Sequence, residues 1–253
     1  MNAGVLHLLN QHATDDRGLF IAETFGPTFQ GEGASVGRQA LFIRLSHCNL
    51  SCGKGPGARW ACDTPETWDF SAFDPADPKI RRRVSLDELM AWVLSFPPML
   101  VVITGGEPLI QRAGLERLVA ALHTAGRQIE IETNGTLHPS SQLVAAVTAF
   151  NVSPKLAAAG GREGQRIVPA ALRAFAESGK ARFKFVVTGV AEFREITGLV
   201  ERFGMADVWV MPEGTSADVV RQGLRRIADE ALVRGWNLSP RLHVELWEAQ
   251  RGR

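Results

Sequence analysis

The chain has 253 residues, 45% hydrophobic and 22% charged, with a formal net charge of +1; this is an ordinary water-soluble composition, long enough for one large domain or two small ones. So even a charge balance gives no electrostatic case for nucleic acid or for an anionic membrane surface as partner. No apolar stretch reaches the ~18–20 residues that span a bilayer and no secretory signal pattern opens the chain, so a cytoplasmic protein is expected.

Residues 1–18 are polar and read as a loosely held tail, with a single domain expected over residues 19–253. Strands are predicted at Leu19–Thr24 and Gln39–Ser46, on either side of the glycine-rich loop FGPTFQGEGASVG. The stretch HCNLSCGKGPGARWACDT follows, residues 47–64, and it holds all three cysteines of the chain: Cys48, Cys52 and Cys62. The basic run Lys79–Arg83 reads as a solvated face. Ser85, with Glu88 three places on, has the pattern of a helix N-cap and capping box. Met99–Thr104 is a short apolar run suited to a strand covered on both faces.

After Gly105-Gly106-Glu107-Pro108, the apolar residues Leu115, Leu118, Val119 and Leu122 repeat at helical spacing, and Gly126 is a natural stop. The alternation continues with a strand at Gln128–Thr133, a helix at Ser141–Ala149 and a strand at Phe150–Ser153. A helix at Pro169–Ser178 leads to a strand at Arg182–Thr188. Next come a helix at Ala191–Phe203, a strand at Asp207–Met211 and a long helix at Ser216–Arg234. His243–Trp247 alternates like a last strand. About six βα units are too few to close an eight-stranded barrel, so the expected architecture is α/β, an open or partial (β/α)6-type, TIM-like barrel of parallel strands. In such folds ligands bind beyond the C-terminal strand ends. The unusual sequences fall there: the cysteines after Ser46, GGEP after Thr104, ETNG after Ile131, SPK after Val152 and MPEG after Val210.

Three thiols in one loop, with no fourth anywhere, suit a four-iron cluster that leaves one iron open to a small molecule. A structural site normally closes its coordination with four protein ligands. Clustered, unpaired thiols also fit a reducing compartment better than a disulfide framework. Plainer uses stand beside this one: three buried thiols, or a Cys3His zinc site using His47. Adjacent residues on an extended segment point opposite ways, so His47 and Cys48 fit one tetrahedron poorly. The two glycines of GGEP allow the backbone to approach a ligand closely.

A three-cysteine loop after the first barrel strand, with GGEP after the second, resembles the radical S-adenosylmethionine (SAM) superfamily. More closely, FQGEG, FIRL, CNL, CDTPETWDF, TGGEPL, ETNGT, SPK and LHVELWEAQRGR resemble the 7-carboxy-7-deazaguanine synthase family, over nearly everything from about residue 19 onward. The resemblance implies that Cys48, Cys52 and Cys62 hold a 4Fe–4S cluster whose open iron chelates SAM. It implies a 5′-deoxyadenosyl radical that abstracts hydrogen from 6-carboxy-5,6,7,8-tetrahydropterin. Ring contraction and loss of ammonia then give 7-carboxy-7-deazaguanine, and SAM is regenerated. Gly106, Ser153, Lys155 and the loop Met211, Pro212, Glu213 and Gly214 would lie against SAM. Phe29, Gln30, Gly31, Glu32, Arg44, Thr104, Glu132 and His243 would contact the pterin, and Thr64 would bind Mg²⁺. A planar guanidinium at Arg44 suits a substrate carboxylate. A flavodoxin-type or reductase electron donor and a homodimer are implied as partners.

One departure from the superfamily is plain: nine residues separate Cys52 from Cys62, where the usual spacing is CxxxCxxC. CDT after Cys62 marks an insertion, Gly53–Ala61, rather than a lost ligand, and its Lys54 and Arg59 are candidates to engage the electron donor. Two other readings remain open on sequence: a glycyl-radical activase of the same superfamily, and a non-enzymatic metal-binding module.

Overall fold

The computed structural model describes residues 18–248 and 250–252, so the expected N-terminal tail lies, apart from Gly18, outside the described residues. β1 (Leu19–Phe29) and β2 (Gln39–Leu45) run antiparallel, and β3 (Arg82–Val84) pairs antiparallel with β1. From β2 onward the pairing is parallel, through β4 (Leu100–Gly105), β5 (Ile129–Thr133), β6 (Ala149–Val152), β7 (Ala181–Val187), β8 (Val208–Pro212) and β9 (Asn237–Leu238). The strands make one nine-stranded sheet in the order β3-β1-β2-β4-β5-β6-β7-β8-β9, and among the described residues its end strands do not pair with each other. The partial barrel expected from sequence is therefore present and open.

Helices α1 (Leu86–Leu94), α2 (Arg112–Thr124), α3 (Ser141–Ala146), the single turn α4 (Glu163–Arg166), α5 (Pro169–Glu177), α6 (Phe193–Phe203) and α7 (Ala217–Val233) supply the crossovers. Ser85 caps α1 as expected, its hydroxyl accepting from the Glu88 N–H at 3.1 Å. The reciprocal half of the box is not made, because the Glu88 carboxylate instead accepts from Arg82 at 2.7 Å.

Three segments differ from the sequence expectation, and two short elements, α4 and β9, have no counterpart in it. β1 runs on to Phe29 through Gly26-Pro27, because its register with β2 shifts between Phe25 and Thr28; at such an irregularity a residue without an N–H costs no ladder bond. The basic run is partly strand: Arg82 and Arg83 are exposed on edge strand β3, where charge discourages pairing with another chain. The segment expected as the strand His243–Trp247 is instead helix α8 (Leu242–Trp247), with Val244 as its buried residue. Five residues are too few to tell a period of two from one of 3.6, and the last strand is the two-residue β9.

Period-two alternation divides the sheet into two unlike faces. The outer set, including Leu41, Ile43, Val101, Ile103, Ile129, Ile131, Phe183 and Phe185, is fully or almost fully buried with the apolar stripes of the helices in one large core. Each such side chain contributes about 1.5–3 kcal/mol on burial. The inner face begins apolar, with Ala40, Phe42, Leu100 and Val102 in a small separate cluster. Further round, it turns polar. Glu130, wholly buried on β5, accepts from Ser35 (2.6 Å), Arg182 (2.8 Å) and Asn151 (2.9 Å). This paired layer floors the concave side and leaves the next layer up, at the strand ends, to meet a ligand.

Candidate active site

A cavity of about 400 Å3 opens at the C-terminal ends of the parallel strands. The loops after β2, β4, β5, β6 and β8 all reach it, as the sequence predicted for the cysteine, GGEP, ETNG, SPK and MPEG segments. Every predicted site residue lines it except Pro212 and Gly214. Pro212 ends β8 opposite Val187 and leaves space for α7 only because residue 223 is glycine: a Cβ there would stand 2.5 Å from the proline ring. Gly214 contributes its carbonyl to Arg241 at 2.7 Å instead.

Cys48, Cys52 and Cys62 are free thiols at one end of the cavity. His47, which precedes them, takes a left-handed backbone (φ 76°), and its ring turns to pack against Phe20 and Phe70 with Nε2 3.2 Å from Arg81. It is not placed as a fourth ligand. Three thiols without a fourth protein donor among the described residues suit a cluster that keeps one iron open better than a closed mononuclear site. The cradle is also tailored to the loop: a Cβ on Gly106 would stand 2.1 Å from the His47 carbonyl and 2.8 Å from Cys48 Cβ. Burial pushes the Cys48 thiol up to about 12 and raises Cys52 as well, against the pull of the Lys155 ammonium on both. Loading of metal must then displace protons. Lys155 is steadied by Ser153, whose hydroxyl and carbonyl accept its Nζ at 2.9 and 3.0 Å.

At the other end, side chains from distant segments form a linked set. Glu132 accepts from Thr104 (2.7 Å) and Gln30 (3.2 Å), so the three predicted residues meet. Arg44 is held at the wall by Glu23 at 2.6 Å and stands over the Phe25 ring. His243 packs directly on Gly31, where a Cβ would come within 2.1 Å of its Nδ1. Burial lowers the pKa of His243 despite the pull of Glu32, 4.0 Å from its Nε2. Thr64 Oγ1 lies 3.7 Å from Cys62 Sγ, at the junction of the two ends.

Two cations that sequence reasoning missed organise this region. Lys184 pairs with Glu32, and Arg241 donates to Glu32 (3.1 Å), to Asp63 (3.2 Å) and to the Gly214 carbonyl. Burial opposes ionisation of Glu32, but Lys184 and Arg241 outweigh it and hold the carboxyl well below the usual carboxylate range. Lys184 did leave a signal, a charge alternating with Phe183 and Phe185, in step with Arg182 two places earlier on the same strand. Arg241 left none, since its partners are brought to it only by the fold.

The inserted Gly53–Ala61 segment is docked rather than free. Gly53 N–H donates to Ala159 O (2.9 Å) and Arg59 N–H to Ala158 O (2.8 Å), fastening it to the loop after β6. Lys54 and Arg59 are engaged with Asp69 (2.6 Å) and Glu192 (3.6 Å). Trp60 and Ala61 form part of the cavity wall. Among the described residues no helix is long and apolar enough to cross a membrane.

No protein-family model matches the chain. It is 38% identical over 231 residues to the 7-carboxy-7-deazaguanine synthase of Pyrobaculum aerophilum, covering 89% of this chain and 94% of that one. It is 33% identical over 244 residues to the 7-carboxy-7-deazaguanine synthase of Halobacterium salinarum, covering 87% of each. Among solved structures, the crystal structure of QueE from Escherichia coli superposes with a TM-score of 0.65 at 27% identity, over 94% of this chain and 98% of that one.

Proposed function

The chain belongs to the 7-carboxy-7-deazaguanine synthase family and is an enzyme of radical SAM type, and from that membership we propose that it contracts the ring of 6-carboxy-5,6,7,8-tetrahydropterin to 7-carboxy-7-deazaguanine with loss of ammonia. The observation that carries the reading is the meeting of three thiols and the set Gln30, Thr104, Glu132, Arg44 and His243 on one cavity. When bound, a 4Fe–4S cluster on Cys48, Cys52 and Cys62 together with SAM supplies a 5′-deoxyadenosyl radical that takes hydrogen from the pterin.

This chain's residues do the rest by position. Gly106, Ser153 and Lys155 flank the thiol end, where a cationic Lys155 and open backbone suit the amino-acid part and ribose of SAM. Glu132 is oriented by Thr104 and Gln30 yet keeps lone pairs free, so it can accept from the amino and ring N–H groups of a pterin. Arg44, already fixed by Glu23, presents guanidinium edges to a substrate carboxylate. His243 is kept neutral by burial, so at neutral pH it can accept a proton through Nε2 beside Glu32. Phe25, Phe42 and Phe29, the last stacked with Trp247 at 6.3 Å, keep water from the ring.

Thr64 is the proposed protein ligand for Mg²⁺, with substrate oxygens and waters completing an octahedron that a single hydroxyl cannot make. A one-electron donor of flavodoxin or reductase type, a homodimer, a cytoplasmic setting and entry of the product into queuosine or related 7-deazapurine synthesis belong to the same reading. The test is anaerobic: the reconstituted chain receives SAM, Mg²⁺, dithionite and the pterin, and the products are read by mass spectrometry. Formation of 7-carboxy-7-deazaguanine is the expected result. SAM cleavage without a deazapurine would overturn the substrate, and zinc without sulfide in the isolated protein would overturn the cluster.

A further inference from the structure

ETNG entered the argument through Glu132, but its asparagine has a separate place. Asn134 is 5% exposed and sits beside Cys48. Its Oδ1 accepts two hydrogen bonds from Thr136, one from the backbone N–H at 3.0 Å and one from the hydroxyl at 2.6 Å. A backbone N–H can only donate, so the amide's oxygen end is fixed there and its NH2 end must face the other way. On that side Nδ2 donates to Asn49 Oδ1 at 2.9 Å and lies 3.9 Å from Cys48 Sγ. Asn49 closes the ring, donating from its own Nδ2 to Thr136 Oγ1 at 2.8 Å. Each donor in this small circuit has an acceptor, and the remaining amide hydrogen is left for sulfur. The Leu50 backbone N–H also donates to that sulfur, at 3.5 Å.

The functional reading above does not need Asn134 for binding SAM or pterin. A donor held against a ligand thiolate has a different effect. It stabilises charge on the sulfur, and so favours the more electron-rich, reduced state of whatever iron the sulfur binds. Cys48 is half-buried, and the lower local dielectric of such a site strengthens the effect.

We propose that Asn134 is a positioning residue for Cys48, locked by Asn49 and Thr136 so that a buried N–H rests on the thiolate and raises the reduction potential of the cluster. The inference rests on the cluster reading of the three cysteines. Its test is an EPR-monitored redox titration of the full-length chain, reconstituted anaerobically, as wild type, Asn134→Asp and Thr136→Val. Asn134→Asp keeps the shape but puts a carboxylate oxygen against sulfur. It should shift the reduction equilibrium at least tenfold towards the oxidised cluster, about 59 mV for one electron, with iron and sulfide content unchanged. Thr136→Val keeps both amides but removes the hydroxyl that joins them, and should shift the equilibrium a smaller amount in the same direction.

If the Asn134 circuit merely packed the loop, Thr136→Val, which changes no charge, would alter cluster content or thermal stability and leave the potential where it was. Coinciding potentials in loaded wild type and Asn134→Asp overturn the inference alone. Where Asn134→Asp takes up no cluster, Thr136→Val decides, and an unchanged potential there overturns the inference as well. A wild-type chain that binds zinc without sulfide overturns the cluster reading itself, and this inference with it.

Discussion

At the scale of single residues, the contact between Gly31 and His243 makes the sharpest demand on the sequence. Gly31→Ala puts a methyl 2.1 Å from a ring nitrogen and 3.1 Å from the His243 backbone nitrogen, so the ring and the start of α8 must move. A destabilisation of about 1–3 kcal/mol is expected, as for other overpacked sites, with weakened pterin binding; thermal melts and a binding isotherm check both. His243 also sets a pH dependence whose sign follows from burial. Unfolded, it takes up a proton near 6.5, while folded its pKa is lowered. The folded chain therefore binds fewer protons below pH 6.5, and stability falls as the pH drops through that region. His47 is shifted in the same direction by burial and Arg81, so His243→Gln should make the decline shallower without abolishing it. Urea unfolding at about pH 7.5 and about pH 5.5 measures the difference.

At the scale of elements, the sequence was most legible where one physical rule decided the outcome. The strands β2 and β4 to β8 carry apolar outer residues that must meet helices, and Ser85 marks the start of α1 as Gly126 marks the end of α2. Elements went unread where that rule was weak: β3 inside a basic run, β9 with two residues, and α8, whose five-residue pattern suits either period. One helix end depends on a residue far away in sequence. Arg127 donates to the carbonyls of Pro97 (2.6 Å), Phe96 (2.9 Å) and Val93 (3.2 Å), serving acceptors in the last turn of α1 and just beyond it. Arg127→Met keeps much of the aliphatic stem and removes the donors, so a loss of about 1–3 kcal/mol is expected in denaturant unfolding. If the melt is unchanged, water serves those carbonyls equally well.

At the scale of the whole molecule, the loops that carry the motifs were readable because each lies within a few residues of its own strand end. What joins them was not. Glu32 pairs with Lys184 and Arg241, 152 and 209 positions away, and such pairs appear only once the sheet has curled. Glu32→Gln leaves both cations short of counter-charge in a largely buried setting, where breaking a pair costs about 3–5 kcal/mol; calorimetry should show a lowered melting temperature, with Lys184→Met in the same background restoring part of it. The position of Arg241 bears on how the protein is made. A ribosome delivers the cysteine loop early and Arg241 among the last residues, and folding begins at the N-terminus during synthesis. A nascent chain can lay down β1 to β8 in turn while Asp63, beside the third cysteine, still lacks its clamp. Iron delivered before synthesis ends meets a looser loop than iron delivered after release, because the side chain that ties Asp63 to Glu32 has not yet been made.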